Sequence, residues 1–116
     1  MKRLLVLIVI LLVSVSCSKK NEILCIKKDV SFSNGIMDRY ITFYYDNQNY
    51  ITSSKIVENR LYNTEADAFS FLDHYSENTE KVSEKELKYI EVTEYEEKVT
   101  IDEIKSAMEY QDYICK

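Results

Sequence analysis

Side chains able to act as nucleophiles or soft metal ligands are few in this chain of 116 residues: three cysteines, Cys17, Cys25 and Cys115, and one histidine, His74. Thiolate and imidazole suit zinc, but structural zinc sites present their ligands in close pairs, and Cys25, His74 and Cys115 stand isolated from one another. No metal site is expected from them. His74 falls between Asp73 and Tyr75 at the edge of a helical apolar stripe, where a surface imidazole needs no ligand role. Serines are numerous, yet none lies in a glycine-flanked nucleophile turn, so Ser-His-Asp chemistry has no local support. Glu84, Glu86, Glu91, Glu94, Glu96 and Glu97 form an acidic run. It lacks the Asp and Gly steps of a calcium loop and reads as a solvated strand face. No catalytic residue and no cofactor are expected.

Cys17 differs from the other two in what precedes it. Lys2 and Arg3 supply a positive start, residues 4–13 are unbroken apolar, and Ser14, Val15 and Ser16 are compact residues leading into the cysteine. Residues 1–16 therefore read as a secretory leader with a lipoprotein cleavage site. A membrane-spanning helix would need about 20 apolar residues. The pattern resembles the bacterial lipobox, with Ser14 where leucine is commonest. That resemblance implies a cysteine acylated on sulfur that becomes the new N-terminus. Each buried methylene of such a lipid contributes about 0.8 kcal/mol, and several chains hold a protein on a bilayer far better than one. Residues 17–21 then form the lipidated Cys17 and a polar tether in which Lys19 and Lys20 face anionic headgroups.

Removing Lys2 and Arg3 with the leader leaves 13 basic against 20 acidic residues, so the formal charge of −5 becomes −7. An exported acidic chain has no basic stripe for phosphate backbones, and nucleic acid is excluded as a partner class. Export also bears on the two remaining cysteines. Cys25 and Cys115 invite a bridge that would close nearly the whole mature chain, worth about 4 to 5 kcal/mol of loop-closure entropy for about 90 residues. The other reading leaves two unpaired thiols, Cys25 in a strand core and Cys115 on a frayed end. The sequence does not choose between them, because it does not place the Cα atoms.

These residues need elements to position them. With no proline and a single glycine, turns fall to Asn, Asp and Ser, which cluster at residues 31–35 and 46–49. Around those turns the chain is rich in Ile, Val, Tyr, Phe and Thr, which predicts three antiparallel strands at about 22–30, 37–45 and 50–62. Asn34-Gly35 suggests a hairpin loop with positive φ. In the first strand Ile23, Cys25 and Lys27 share a face. In the second, Met37, Ile41, Phe43 and Tyr45 share one, with Arg39 as the polar exception. The third alternates weakly, and a bulge near Ser53 and Ser54 would shift which side faces in.

Thr64-Glu65-Ala66-Asp67 signals a helix start, and Ala68, Phe69, Phe71, Leu72 and Tyr75 form its apolar stripe to about residue 76. Residues 76–86 read as a polar loop. Residues 87–100 return to strand character, as one long strand or as a hairpin turning at residues 96–98; the absence of Gly, Asn or Asp there favours one strand. Thr100 and Glu103 make a capping box for a short C-terminal helix with Ile104, Ala107 and Met108 on one side. Residues 22–116 thus predict one α+β domain, an antiparallel sheet with one main helix packed on one face and a short C-terminal helix, after a cleaved signal peptide.

The strand Ile23-Leu24-Cys25-Ile26, the Tyr/Phe/Thr strand after it, the helix entry Thr64-Glu65-Ala66-Asp67-Ala68 and the late Val99-Thr100-Ile101-Asp102 resemble the small uncharacterised bacterial lipoproteins of the YehR group. The resemblance implies a β-rich α+β fold and a lipid anchor, and it carries no functional residue with it. Ten tyrosines are the least ordinary part of the composition. Tyrosine buries its ring while keeping its hydroxyl wet, so these build a small core or, through Tyr40 and Tyr44 on the outer side of the second strand, a contact face. The functional expectation is a lipid-anchored extracytoplasmic lipoprotein of the cell membrane or outer membrane, a non-enzymatic binding module for a protein or glycan. An envelope enzyme and a structural accessory of a membrane complex are the alternatives. Cys17→Ala should move the protein out of the membrane fraction and abolish incorporation of labelled palmitate; retention of both in the variant removes the anchor.

Overall fold

The computed structural model describes residues 21–116, so the expected leader, Cys17 and most of the expected tether lie outside the described residues. The chain runs β1 (Glu22–Phe32), β2 (Gly35–Tyr45), β3 (Ile51–Tyr62), α1 (Glu65–His74), a 3-10 turn (Ser76–Asn78), β4 (Thr79–Lys81), β5 (Glu86–Glu94), α2 (Ile101–Tyr110) and β6 (Ile114–Cys115). The six strands form one antiparallel sheet in the order β4-β5-β3-β2-β1-β6.

The three long strands continue straight into one another because the connections are short. Phe32 pairs with Gly35, leaving only Ser33 and Asn34 in the first loop. No glycine has positive φ; the residues that do are Asp29, Asn49 and Asp112. Gly35 is required for a different reason. A Cβ there would lie 2.1 Å from the Leu61 carbonyl oxygen on β3, so only a residue without one lets the strands approach. Asp46 closes the second loop by accepting from the backbone amides of Gln48 and Tyr50, as an Asx turn does.

Two irregularities decide which side chains face in. Between Lys27 and Val30 the β1 register shifts, with Asp29 left-handed and its amide donating to the Asp38 carboxylate. Between β2 and β3 the partners of Tyr44 and Tyr45 are Ser53 and Ile51, so Thr52 is the extra residue. That bulge sits next to the expected place. It explains the weak alternation of β3, because it turns Ile51 as well as Ser54 and Ile56 toward the core.

Both helices lie on one face of the sheet, ten residues each. In α1, Thr64 accepts from the Asp67 amide and donates to its carboxylate; in α2, Thr100 and Glu103 do the same, each hydroxyl satisfying an orphan amide of the first turn. At one end of the face Ile101, Ile104 and Met108 of α2 cover Ile23, Cys25, Ile41, Phe43 and Ile51, with Tyr113 buried among them. At the other end Ala68, Phe71 and Leu72 of α1 cover Tyr62, Leu87 and Phe32. Phe69 departs from the expected stripe and is 69% exposed, since Ala68, Phe71, Leu72 and Tyr75 already fill the i, i+3, i+4, i+7 positions. Ala107 is likewise exposed on α2.

The expected long strand over residues 87–100 is corrected. β5 stops at Glu94, opposite Ser53, and residues 95–99 leave the ladder before Tyr50 and Thr100 form a single bridge. Beyond Ser53 the partner strand bulges at Thr52, which takes one more bond, from the Tyr95 amide at 3.0 Å, and Thr100 must be extended to cap α2. The polar loop over residues 76–86 holds a 3-10 turn and the short edge strand β4.

The C-terminus forms a strand. Leu24 and Lys116 exchange both backbone hydrogen bonds, at 3.1 and 2.9 Å, which makes Cys25 and Cys115 the adjacent non-bonded pair, the position of closest Cα approach in an antiparallel ladder. Their Cα atoms are 4.0 Å apart and their sulfurs are joined in a disulfide spanning 90 residues. Replacing both cysteines by alanine should lower stability by about 2 to 5 kcal/mol and free β6 from β1, read as a lower urea midpoint and as loss of amide protection at Leu24 and Lys116. Unchanged protection there counts against the bridge as the clasp of this edge.

Candidate functional site

Register places side chains in transverse rows across the sheet, and two neighbouring rows at its waist break the usual rule of apolar inside and polar outside. On the helix-bearing face Lys27, Arg39, Glu58, Tyr89 and Thr79 lie in line across β1, β2, β3, β5 and β4. On the opposite face Ile114, Ile26, Tyr40, Val57 and Ile90 lie in line across β6, β1, β2, β3 and β5.

The polar row is organised by Glu58, which is 5% exposed. Its Oε2 accepts from Arg39 Nε at 2.9 Å, and its Oε1 accepts from Arg60 Nε at 2.8 Å with Arg60 Nη2 at 2.7 Å. Each guanidinium also donates to a tyrosine hydroxyl, Arg39 to Tyr113 at 2.6 Å and Arg60 to Tyr62 at 3.0 Å. Arg60 lies 4.3 Å from the centroid of the Phe71 ring and 5.2 Å from that of Phe32, inside an aromatic group completed by Tyr62, Tyr75 and Tyr89. Planar, weakly hydrated guanidinium suits such a place far better than ammonium.

Burial acts on the titrations here. Desolvation would lower the Arg60 value, but the hydrogen bonds it donates to Tyr62 and Glu58, with the charge on those groups, outweigh it and hold Arg60 above its ordinary value. Burial raises Tyr62 despite the opposing pull of Arg60, and burial with the nearby Glu91 and Glu58 charges raises Tyr89. In both, burial favours the neutral hydroxyl over the phenolate. Thr79 Oγ1, at the far end of the row, is buried without a partner.

The apolar row is uncovered. Ile26, Tyr40, Val57 and Ile90 are half-buried, while Ile114 is 67% exposed and, in other rows of the same face, Val92 and Leu61 are exposed as well. Tyr40 sits between Ile26 and Val57; Tyr44 stands on the same face between Glu22 and Ser53. Thr42 separates them, so the two rings are about 13 Å apart along the strand and belong to one surface without touching as a cluster. The remaining tyrosines divide. Tyr62, Tyr89 and Tyr113 face the helices, and Tyr110 is fully exposed on α2.

His74 ends α1 with its ring 4.5 Å from that of Tyr75, remote in the chain from the bridged cysteines, and among the described residues no three metal-ligating side chains converge. The Glu58 network was invisible to spacing. Arg39 registers in the sequence only as an exception to an apolar face, and Glu58 only as the end of a weak alternation. Two exceptions at paired positions are the signal that would have found it. Comparison with protein-family models, curated proteins and solved structures finds no match.

Glu58→Ala leaves Arg39 and Arg60 without their shared carboxylate. The loss should be about 3 kcal/mol, toward the low end for a broken buried pair because Arg39 reaches solvent, and visible as a fall in Tm of about 10 °C or more. A shift within about 2 °C shows the network to be energetically idle.

Proposed function

We propose that this chain is a membrane-anchored extracytoplasmic lipoprotein, held by lipid on Cys17, whose domain acts as a non-enzymatic binding module at the cell envelope. The leader and Cys17 support the anchor, and the resemblance to small bacterial lipoproteins agrees with it. One observation carries the binding role: the apolar row Ile114, Ile26, Tyr40, Val57 and Ile90 crosses a sheet face on which no helix packs among the described residues.

An antiparallel sheet with one solvated face ordinarily shows polar residues there. This face instead keeps branched aliphatics and a tyrosine at its centre, with Lys55, Lys88, Glu22, Glu86 and Glu94 around them. An apolar centre with a charged rim is the composition of an interface, and tyrosine is enriched at such centres. The partner fitting it is a protein or glycan of the envelope presenting apolar surface. A photo-crosslinking aromatic amino acid placed at Tyr40 should form adducts in intact cells, whereas the same residue at Tyr110, exposed on the helix-bearing side, should not. Equal labelling at the two positions, or none at Tyr40, overturns the assignment of this face.

A further inference from the structure

The sheet has two edges, and they are finished differently. At one, β6 covers part of β1 under the disulfide, and beyond it the register shift between Lys27 and Val30, with Asp29 left-handed, breaks the line of β1. A bulge of that kind keeps other strands from pairing. At the other edge, β4 covers only residues 87–89 of β5. Residues 90–94 continue in unbroken register with β3 and meet no strand on their far side among the described residues.

The hydrogen-bond alternation decides which groups are open. Tyr62 N–H donates to the Lys85 carbonyl and Tyr95 N–H to the Thr52 carbonyl, so the odd-numbered residues between them bond to β3 and the even-numbered ones turn their amides and carbonyls outward. Val92 and Glu94 therefore offer two N–H and two C=O groups along a stretch, residues 91–94, that is exposed throughout.

In line with β4, an open groove of about 580 Å³ runs beside this stretch. Ile90 and Val92 project to one face of the sheet and Glu91 to the other, so a groove lined by all three follows the strand edge and lies over neither face. Glu77, Glu80 and Glu91 line it without a cation, and none of the three is in an ion pair among the described residues. Thr79, whose buried hydroxyl lacks a partner, lies at the end where β4 takes over. A second copy of this chain would lay an equally acidic edge beside this one, and like charges across strands repel. A basic strand meets the opposite sign.

We propose that residues 90–94 of β5 accept an extended basic segment of a partner protein as an added strand. Main-chain bonds to Val92 and Glu94 hold it, apolar side chains at alternate positions lie beside Ile90 and Val92, and lysine or arginine at the positions between them faces Glu91. This edge shares only Ile90 with the row of the Tyr40 face, and neither site depends on the other.

The test is an amide NMR titration of the full chain, purified in a nonionic detergent, with a capped hexapeptide of alternating lysine and valine. The Val92 and Glu94 amide signals should shift and saturate, and the same peptide with glutamate for lysine should bind at least about tenfold more weakly. N-methylation separates strand addition from charge attraction. Methylating the valine amides removes the donors that an antiparallel strand gives to β5, and methylating the lysine amides removes those of a parallel one. One set should abolish binding and the other should spare it. Val92→Pro deletes an outward N–H without touching the β3 ladder, a place where an edge strand tolerates proline; it should lose the peptide, while Val92→Ala keeps it. The methylated peptides decide the matter on the parent protein, whatever Val92→Pro does to the fold. Absent shifts at Val92 and Glu94, binding that survives both methylated sets, or equal binding of the glutamate peptide overturns the site. Concentration-dependent shifts at the same amides without peptide make the occupant a second copy and overturn the basic partner.

Discussion

One buried carboxylate serving two guanidinium groups sets the plan of this domain. Glu58 could not remain ionised in the middle of a helix-covered sheet without partners at bonding distance, and Arg39 and Arg60 supply them from the neighbouring strand and from two residues along its own. Burying charge in this way is weak evidence of net stability, since desolvation offsets much of the attraction. Its stronger consequence is geometric. The charged row splits the covered face into two apolar patches, and each patch takes one short helix. A single long helix laid across the face would have to cross the arginines. Two ten-residue helices, each started by a threonine cap, avoid that crossing.

The same row dictates what its two sides offer. Tyr62 and Tyr113 reach in from opposite patches to accept from the arginines, so the tyrosines that look excessive in the composition are partly the polar ends of the core. On the reverse side the alternation of the strands gives Ile26, Tyr40, Val57 and Ile90 no helix to meet. The proposed contact surface and the buried charges are thus two expressions of one register. A shift by a single residue would place the arginines in solvent and the isoleucine, tyrosine and valine under the helices.

Much of this was legible locally. The three opening strands, both threonine caps and the α+β class follow from period-two alternation, turn residues at residues 31–35 and 46–49, and the Thr64 and Thr100 signals, all of which act within a few residues. What escaped depends on partners distant in the chain. β6 is two residues long and exists because β1 offers Leu24 and Cys25, which no window around Ile114 contains. β5 ends at Glu94, where its partner β3 reaches the bulge at Thr52. Gly35 looks like a turn residue by its neighbour Asn34, whereas its need arises from Leu61 across the sheet. The Arg39–Glu58–Arg60 group required the β2–β3 pairing to be known before its members could be seen as neighbours.

The disulfide at the β1–β6 edge also has a mechanical meaning. Any pull applied at the start of the described chain enters β1 at Glu22 and reaches Cys25 three residues later. From there the covalent bond passes load directly to Cys115 and the segment beneath α2, while the β1–β2 ladder carries the rest in shear. The last strand therefore cannot peel away first, and the two ends of the domain respond to tension as one fastening. With the proposed anchor at Cys17, load would enter the domain at this bridged edge.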